Sequence, residues 1–151
     1  MNFGVDHFRP KSLFRNLICT YSNLYYACNL CNSFKGQTWP SDALKAKGFV
    51  FADPCESNVY ETHLKEEDDG SLQCLTTCGK YTYEHLDLDR DDLVNWRRER
   101  RLARNDLPEV DRMIKEMGDT ISKLRGRDKK LLDRRYRVLI RCRARLERDA
   151  R

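Results

Sequence analysis

Apolar positions along this chain come first in short bursts and only later at helical spacing. Phe3–Phe8 reads as a short strand, stopped by Pro10, which has no N–H for a ladder hydrogen bond. Ser22–Cys28 begins as a loop and leads into a short helix near Cys31, closed by Gly36 as its C-terminal cap. Trp39-Pro40-Ser41-Asp42 is a turn, and Ser41 or Asp42 caps a brief helix over Ala43–Lys47 that Gly48 ends. Gly48–Pro54 reads as a strand leaving for a loop. Asp68-Asp69-Gly70 closes the acidic segment Glu61–Gly70 with a hairpin-turn signal. Leu72–Leu75 and Lys80–Tyr83 are the expected flanking strands, joined near Gly79.

Beyond Leu86 the period lengthens. Asp91 or Asp92 caps a helix running through Trp96 to Arg104, and Pro108 suits the first turn of another. Val110, Met113, Ile114, Met117, Ile121 and Leu124 form one apolar stripe, interrupted at Gly126. Leu131, Leu132, Leu139, Cys142 and Leu146 share a face of a last helix. The two stripes suit an antiparallel hairpin, packed on the core or on a partner. Trp39, Trp96, Tyr25 and Tyr26 read as packing residues. The pattern predicts an α+β core over residues 1–89 and a helical tail over residues 90–151.

Composition narrows the class. At 151 residues, 40% hydrophobic and 35% charged, the chain suits one domain, or a small domain with an appendage. No stretch approaches the ~18 apolar residues of a membrane span, and the start lacks a signal peptide's basic and apolar regions. No membrane and a cytoplasmic location are expected. Seven cysteines, an odd number, argue against a disulfide framework. Cys28-x-x-Cys31 and Cys74-x-x-x-Cys78 have metal-ligand spacing, whereas Cys19 and Cys142 read as small buried hydrophobes. The net charge of +5 is unevenly spread: residues 90–151 hold 21 Lys+Arg and 12 Asp+Glu, or +9, leaving −4 for residues 1–89. Such a tail fits a polyanion-binding arm; a solvated Arg-rich face fits it as well.

Three elements carry chemistry in order: Asp6-His7-Phe8-Arg9-Pro10-Lys11, then Asn23-Leu24, then Cys28-x-x-Cys31-Asn32-x-x-Lys35-Gly36. Histidine takes a proton from water near neutral pH. An aspartate beside it supplies the hard oxygen that Mg²⁺ favours, and the cation stabilises charge on a leaving oxygen. For Asp6 and His7 to serve one site, the strand must end at them, which Pro10 favours.

These elements resemble the HNH endonuclease family. The resemblance covers residues 4–36 and implies a small ββα-metal (His-Me finger) core, followed here by the Arg-rich helical region. It implies hydrolysis of DNA phosphodiester bonds, the sequence itself not distinguishing DNA from RNA. His7 would be the general base, and Asn23 would hold the loop that orients it. Asp6 and Asn32 would hold Mg²⁺ or Mn²⁺, Asn32 standing where many relatives have histidine. Arg9, Lys11 and Lys35 would lie near the scissile phosphate, with His63 an additional candidate contact.

A weaker likeness extends through Asp53-Pro54-Cys55, His63-Leu64 and Leu86–Leu93. It is similar to HNH proteins paired with ATPases in antiphage defence, such as the Septu and retron-linked nucleases, and implies an ATPase partner met through the helical tail. Many relatives complete a structural zinc site with a Cys-x-x-Cys pair before the Asp-His pair. Only five residues precede Asp6 here. Either the start is truncated, or Cys74 and Cys78 complete a Zn²⁺ site with Cys28 and Cys31, or there is no structural zinc. Two rival readings are a non-catalytic zinc-dependent nucleic-acid-binding module and an interaction subunit of a larger nuclease–ATPase complex.

Overall fold

The computed structural model describes residues 2–56 and 58–150, with the Tyr60 side chain left out. It is a mixed α+β chain that divides into two compact units, Met1–Glu67 with Ser71–Leu93, and Asp68–Gly70 with Val94–Arg151.

The first unit opens with β1 (Phe3–His7), which pairs antiparallel with β2 (Leu24–Cys28) in a register that sets Phe3 opposite Cys28 and His7 opposite Leu24. Two 3-10 turns, Arg15–Leu17 and Tyr21–Asn23, shape the connection between them. β2 passes directly into α1 (Asn29–Lys35). The Cys28 sulfur caps α1 by accepting from the Cys31 N–H, and Gly36 closes it at φ +50°, a left-handed conformation that favours glycine. β2 corrects the expected loop over Ser22–Cys28.

Farther along, α2 (Asp42–Lys45) is capped by the Ser41 hydroxyl, as its sequence predicts. Gly48–Pro54, expected as a strand, is irregular. The Thr82 hydroxyl accepts the Ala52 N–H at 2.8 Å while donating to the Cys78 carbonyl, so a side chain replaces the ladder partner. After the short α3 (Val59–Thr62), β3 (Leu64–Glu66) pairs antiparallel with β4 (Leu72–Cys74). The expected strand Lys80–Tyr83 instead lies in α4 (Thr77–Leu86), started by the Thr76 hydroxyl on the Gly79 N–H. Gly79 is required there: a Cβ would stand 2.0 Å from the His63 carbonyl oxygen. Phe51, Leu64, Leu72 and Tyr81 are buried, and Phe51 meets Trp39, Tyr81 and His85 ring to ring.

The helix α5 (Asp91–Lys123) runs unbroken through Pro108, so the proline does not begin a new helix. α6 (Gly126–Asp149) follows. In the second unit, Arg104 donates to the Ala150 carbonyl and Asp111 pairs with Arg143 at 2.6 Å. Numbers fall along α6 as they rise along α5, so the helices are antiparallel. Ala103, Leu107, Val110, Ile114, Met117, Ile121 and Leu124 repeat at alternating steps of four and three, and all are at least half-buried. Leu132, Tyr136, Leu139, Arg143, Leu146 and Ala150 repeat likewise, giving a two-stranded seam of coiled-coil period. Met113, Leu131 and Cys142 lie outside this seam and are exposed. Cys19, Trp96 and Tyr26 are exposed too, correcting their expected burial. No helix among the described residues is long and apolar enough to cross a membrane.

Candidate active site

β1, β2 and α1 form one antiparallel pair with a following helix, and the Asp6-His7 pair sits where β1 ends. Asp6 is buried, and its Oδ1 accepts from Lys35 Nζ at 2.8 Å. The same ammonium donates to the His7 carbonyl at 2.6 Å. Lys35 is the last residue of α1 and only 4% exposed, so it ties the end of the helix to the end of the strand. Lys35, expected near the scissile phosphate, is a buried cation that two of its three N–H donors tie to the Asp6 carboxylate and the His7 carbonyl. Asp6 Oδ2 accepts no hydrogen bond among the described residues.

His7 is fixed through its far nitrogen. Nε2 lies 3.0 Å from the Ile18 carbonyl oxygen, which can only accept. Nε2 therefore carries the proton, and Nδ1 keeps the lone pair that a general base needs.

Asn23 holds the loop that supplies this carbonyl. Its Oδ1 accepts from the Arg9 N–H at 2.8 Å, while Nδ2 donates to the carbonyls of Arg9 at 3.1 Å and Leu17 at 3.3 Å. One buried amide thus grips the chain two residues past His7 and one residue before Ile18. Asn23 is a positioning residue.

Asn32 faces β1 from α1, its Nδ2 donating a long 3.5 Å hydrogen bond to the Val5 carbonyl. That bond uses the nitrogen, and the amide oxygen has no hydrogen bond among the described residues; Val5 is the residue before Asp6. The Asp6 carboxylate and Asn32 amide are hard oxygen donors that fit a Mg²⁺-type cation, which takes few protein ligands and keeps water or phosphate in the remaining positions. Arg9 and Lys11 are exposed, with the Arg9 guanidinium over the Phe14 and Trp39 rings at 5.8 and 6.0 Å.

The thiol pair has a different partner. Arg90 Nη2 donates to Cys31 Sγ at 3.2 Å and to Cys28 Sγ at 3.5 Å. Arg90 is itself held by the Leu86 and Asp87 carbonyls, by Asp92, and over the Phe34 ring. Burial pushes the Cys28 thiol up, but the hydrogen bonds from Cys31 and the Arg90 charge outweigh it and hold Cys28 below the ordinary range. Burial and the neighbouring Cys28 sulfur push Cys31 up. Among the described residues no three His, Cys, Asp or Glu side chains group to hold a metal ion. Cys74 and Cys78 are not grouped with Cys28 and Cys31, and Arg90 supplies positive charge to the Cys28–Cys31 pair. Arg90 carries no local signal for this contact, standing 59 residues from Cys31 in sequence.

His63 has partners of its own. Its Nδ1 is 2.8 Å from the Thr76 hydroxyl, and it borders a cavity of about 470 Å³ with Glu56, Val59 and Thr62. No hydrogen bond joins it to Asp6, His7 or Asn32 among the described residues. No family model, curated protein or solved structure matches the chain.

Proposed function

We propose that the β1–β2–α1 unit is a ββα-metal core of HNH type, and that the protein is a metal-dependent endonuclease acting on DNA. The observation that carries this reading is the polarity of His7: a strand-end imidazole whose Nε2 is committed to the Ile18 carbonyl and whose Nδ1 is left as a base, with Asp6 the preceding residue and Asn32 hydrogen-bonded to the Val5 carbonyl of the same strand.

His7 Nδ1 takes a proton from the water that attacks phosphorus. Asn23 keeps the Ile18 carbonyl in place and so keeps His7 in one tautomer. Lys35 fixes the Asp6 side chain, directing its second oxygen away from the ion pair. Asp6 and Asn32 would hold Mg²⁺ or Mn²⁺, which supplies Lewis-acid stabilisation of charge at the leaving oxygen. The exposed Arg9 and Lys11 steady the substrate backbone.

The test is plasmid nicking in Mg²⁺ and in Mn²⁺, comparing wild type with His7→Ala. Loss of the base is expected to slow cleavage by about 10²–10⁴-fold with the fold retained. Equal, measurable cleavage by both proteins removes His7 as the base and overturns the reading; no cleavage by either across the divalent series overturns it in favour of a non-catalytic nucleic-acid-binding module. Pairing with an ATPase in antiphage defence is the wider role we propose on the likeness of residues 53–93, tested by co-purification with such a partner.

A further inference from the structure

The basic excess of the second unit is confined to one helix. α5 carries eight Lys+Arg and eight Asp+Glu, a balance of zero, whereas α6 carries ten and four, a balance of +6. The arginine run at the start of α5 is also engaged within its own unit. Arg97 is buried and donates to the Gly70 carbonyl, Arg98 donates to Asn95, and Arg101 pairs with Asp68.

On α6 the cations are ordered. At about 100° per residue, Arg127, Lys130, Arg134, Arg137, Arg141 and Arg148 fall within one sector about 80° wide, on the side away from the seam with α5. Arg145, on the sector's edge, is the only other residue of α6 in it; its ion pair with Asp149 is long, at 3.7 Å, and its side chain is 80% exposed. The sector contains no acidic residue. All its side chains are exposed, and the other six have no hydrogen bond or ion pair to an acid among the described residues. From Arg127 to Arg148 the helix rises roughly 32 Å, close to the ~34 Å of one duplex turn.

We propose that this stripe is a phosphate-binding surface for a nucleic acid backbone. A continuous, uncompensated row of guanidinium groups needs a linear polyanion of comparable length and charge density, and a sugar–phosphate backbone is one. Guanidinium forks match phosphate oxygens two at a time, which favours arginine over lysine here. Most apolar side chains of α6 face α5; Leu131, Val138 and Ile140 are exposed but are too few to form the continuous apolar face that a membrane-surface helix buries. The inference deepens the proposed nuclease reading and rests on it for the choice of polyanion, but it needs no catalysis.

The experiment measures binding of the full chain to a short mixed-sequence DNA duplex by fluorescence anisotropy, in chelator so that nothing is cut, over a salt series. Arg134→Gln, Arg137→Gln and Arg141→Gln together are expected to weaken binding by about tenfold or more and to lower the salt slope by about three. The matching lysine triple keeps the slope, and Arg112→Gln with Lys115→Gln on α5 changes affinity less than about twofold. An unchanged slope in the glutamine triple, with helix content matching wild type by circular dichroism, overturns the proposal. So does binding of wild type to anionic phospholipid vesicles but not to the duplex. Should His7→Ala bind DNA normally while wild type fails to nick, the stripe stands and the catalytic reading falls.

Discussion

The two units place charge in opposite ways. In the first, charged and polar side chains are buried and satisfied by one another: Lys35 by Asp6 and a carbonyl, Asn23 by three backbone groups, Arg90 by two sulfurs and two carbonyls. In the second, the seam is chiefly apolar and most charge stands in solvent. Buried polar groups fix geometry because each has few alternatives once water is removed. Exposed charges fix little locally, but their fields sum and act at longer range. The first arrangement suits a site that must hold a proton acceptor in place, and the second suits capture of an extended anion.

The comparison is broken most directly at Lys35. Lys35→Met removes the cation and leaves the Asp6 carboxylate buried beside an apolar chain. A cost of about 3–5 kcal/mol is expected from urea unfolding. Adding Asp6→Asn removes the unpaired charge and recovers much of the loss. A single-variant cost no larger than that of a surface change, about 0.5 kcal/mol, would mean that the pair does not brace the strand to the helix.

Within the second unit the expected sign is reversed. Pro108 has no N–H to give the Arg104 carbonyl, although α5 runs straight through it. An interior proline costs a helix about 3 kcal/mol. Pro108→Ala is therefore expected to raise stability by about 1–3 kcal/mol, read as a higher unfolding midpoint. A lower midpoint would show that the ring contributes packing that outweighs the missing hydrogen bond.

Local signals were legible where one side chain and its neighbours decide the structure. Pro10 after Asp6-His7 marked the end of β1, Gly36 the end of α1, and Ser41 the start of α2. The helical character of the tail and its antiparallel packing followed from the apolar spacing, but the break expected before Pro108 is absent, since α5 runs through it. Elements governed by distant partners were not legible. β2 was hidden because Tyr25-Tyr26 breaks the alternation of apolar and polar positions. Tyr81-Thr82-Tyr83 has strand-like composition, yet Cys78, Tyr81, Thr82 and His85 fall at helical spacing beneath the Thr76 cap. Gly48–Pro54 lost its ladder to a hydroxyl thirty residues away. At the candidate site, the residue types at Asp6, His7, Asn23 and Asn32 were readable from their order. The burial of Lys35 and the grip of Arg90 on the thiols depend on tertiary neighbours that no spacing announces.

The smallest expected effect tests whether the polar pinning of the first unit reaches behind the site. Tyr25 lies opposite Asp6 in the strand register, and its hydroxyl donates to both Asp53 oxygens at 2.9 and 3.1 Å. Burial first, and then the Asp53 carboxylate, pushes the phenol up to about 12. An unfolded tyrosine releases its proton near pH 10, so over the window from about 10 to about 12 the folded chain binds the proton more tightly. The stabilisation is full below that window and is lost as pH rises through it. Tyr25→Phe should therefore lower stability at neutral pH by about 1 kcal/mol or less, solvent screening keeping the effect small. The gap from wild type should narrow as pH climbs past 10. Burial raises Tyr81 as well, so ultraviolet titration should show one fewer late-ionising phenol in the variant than in wild type. A gap that stays constant with pH, or an unchanged number of late phenols, would separate Tyr25 from Asp53 and confine the pinning to the strand end itself.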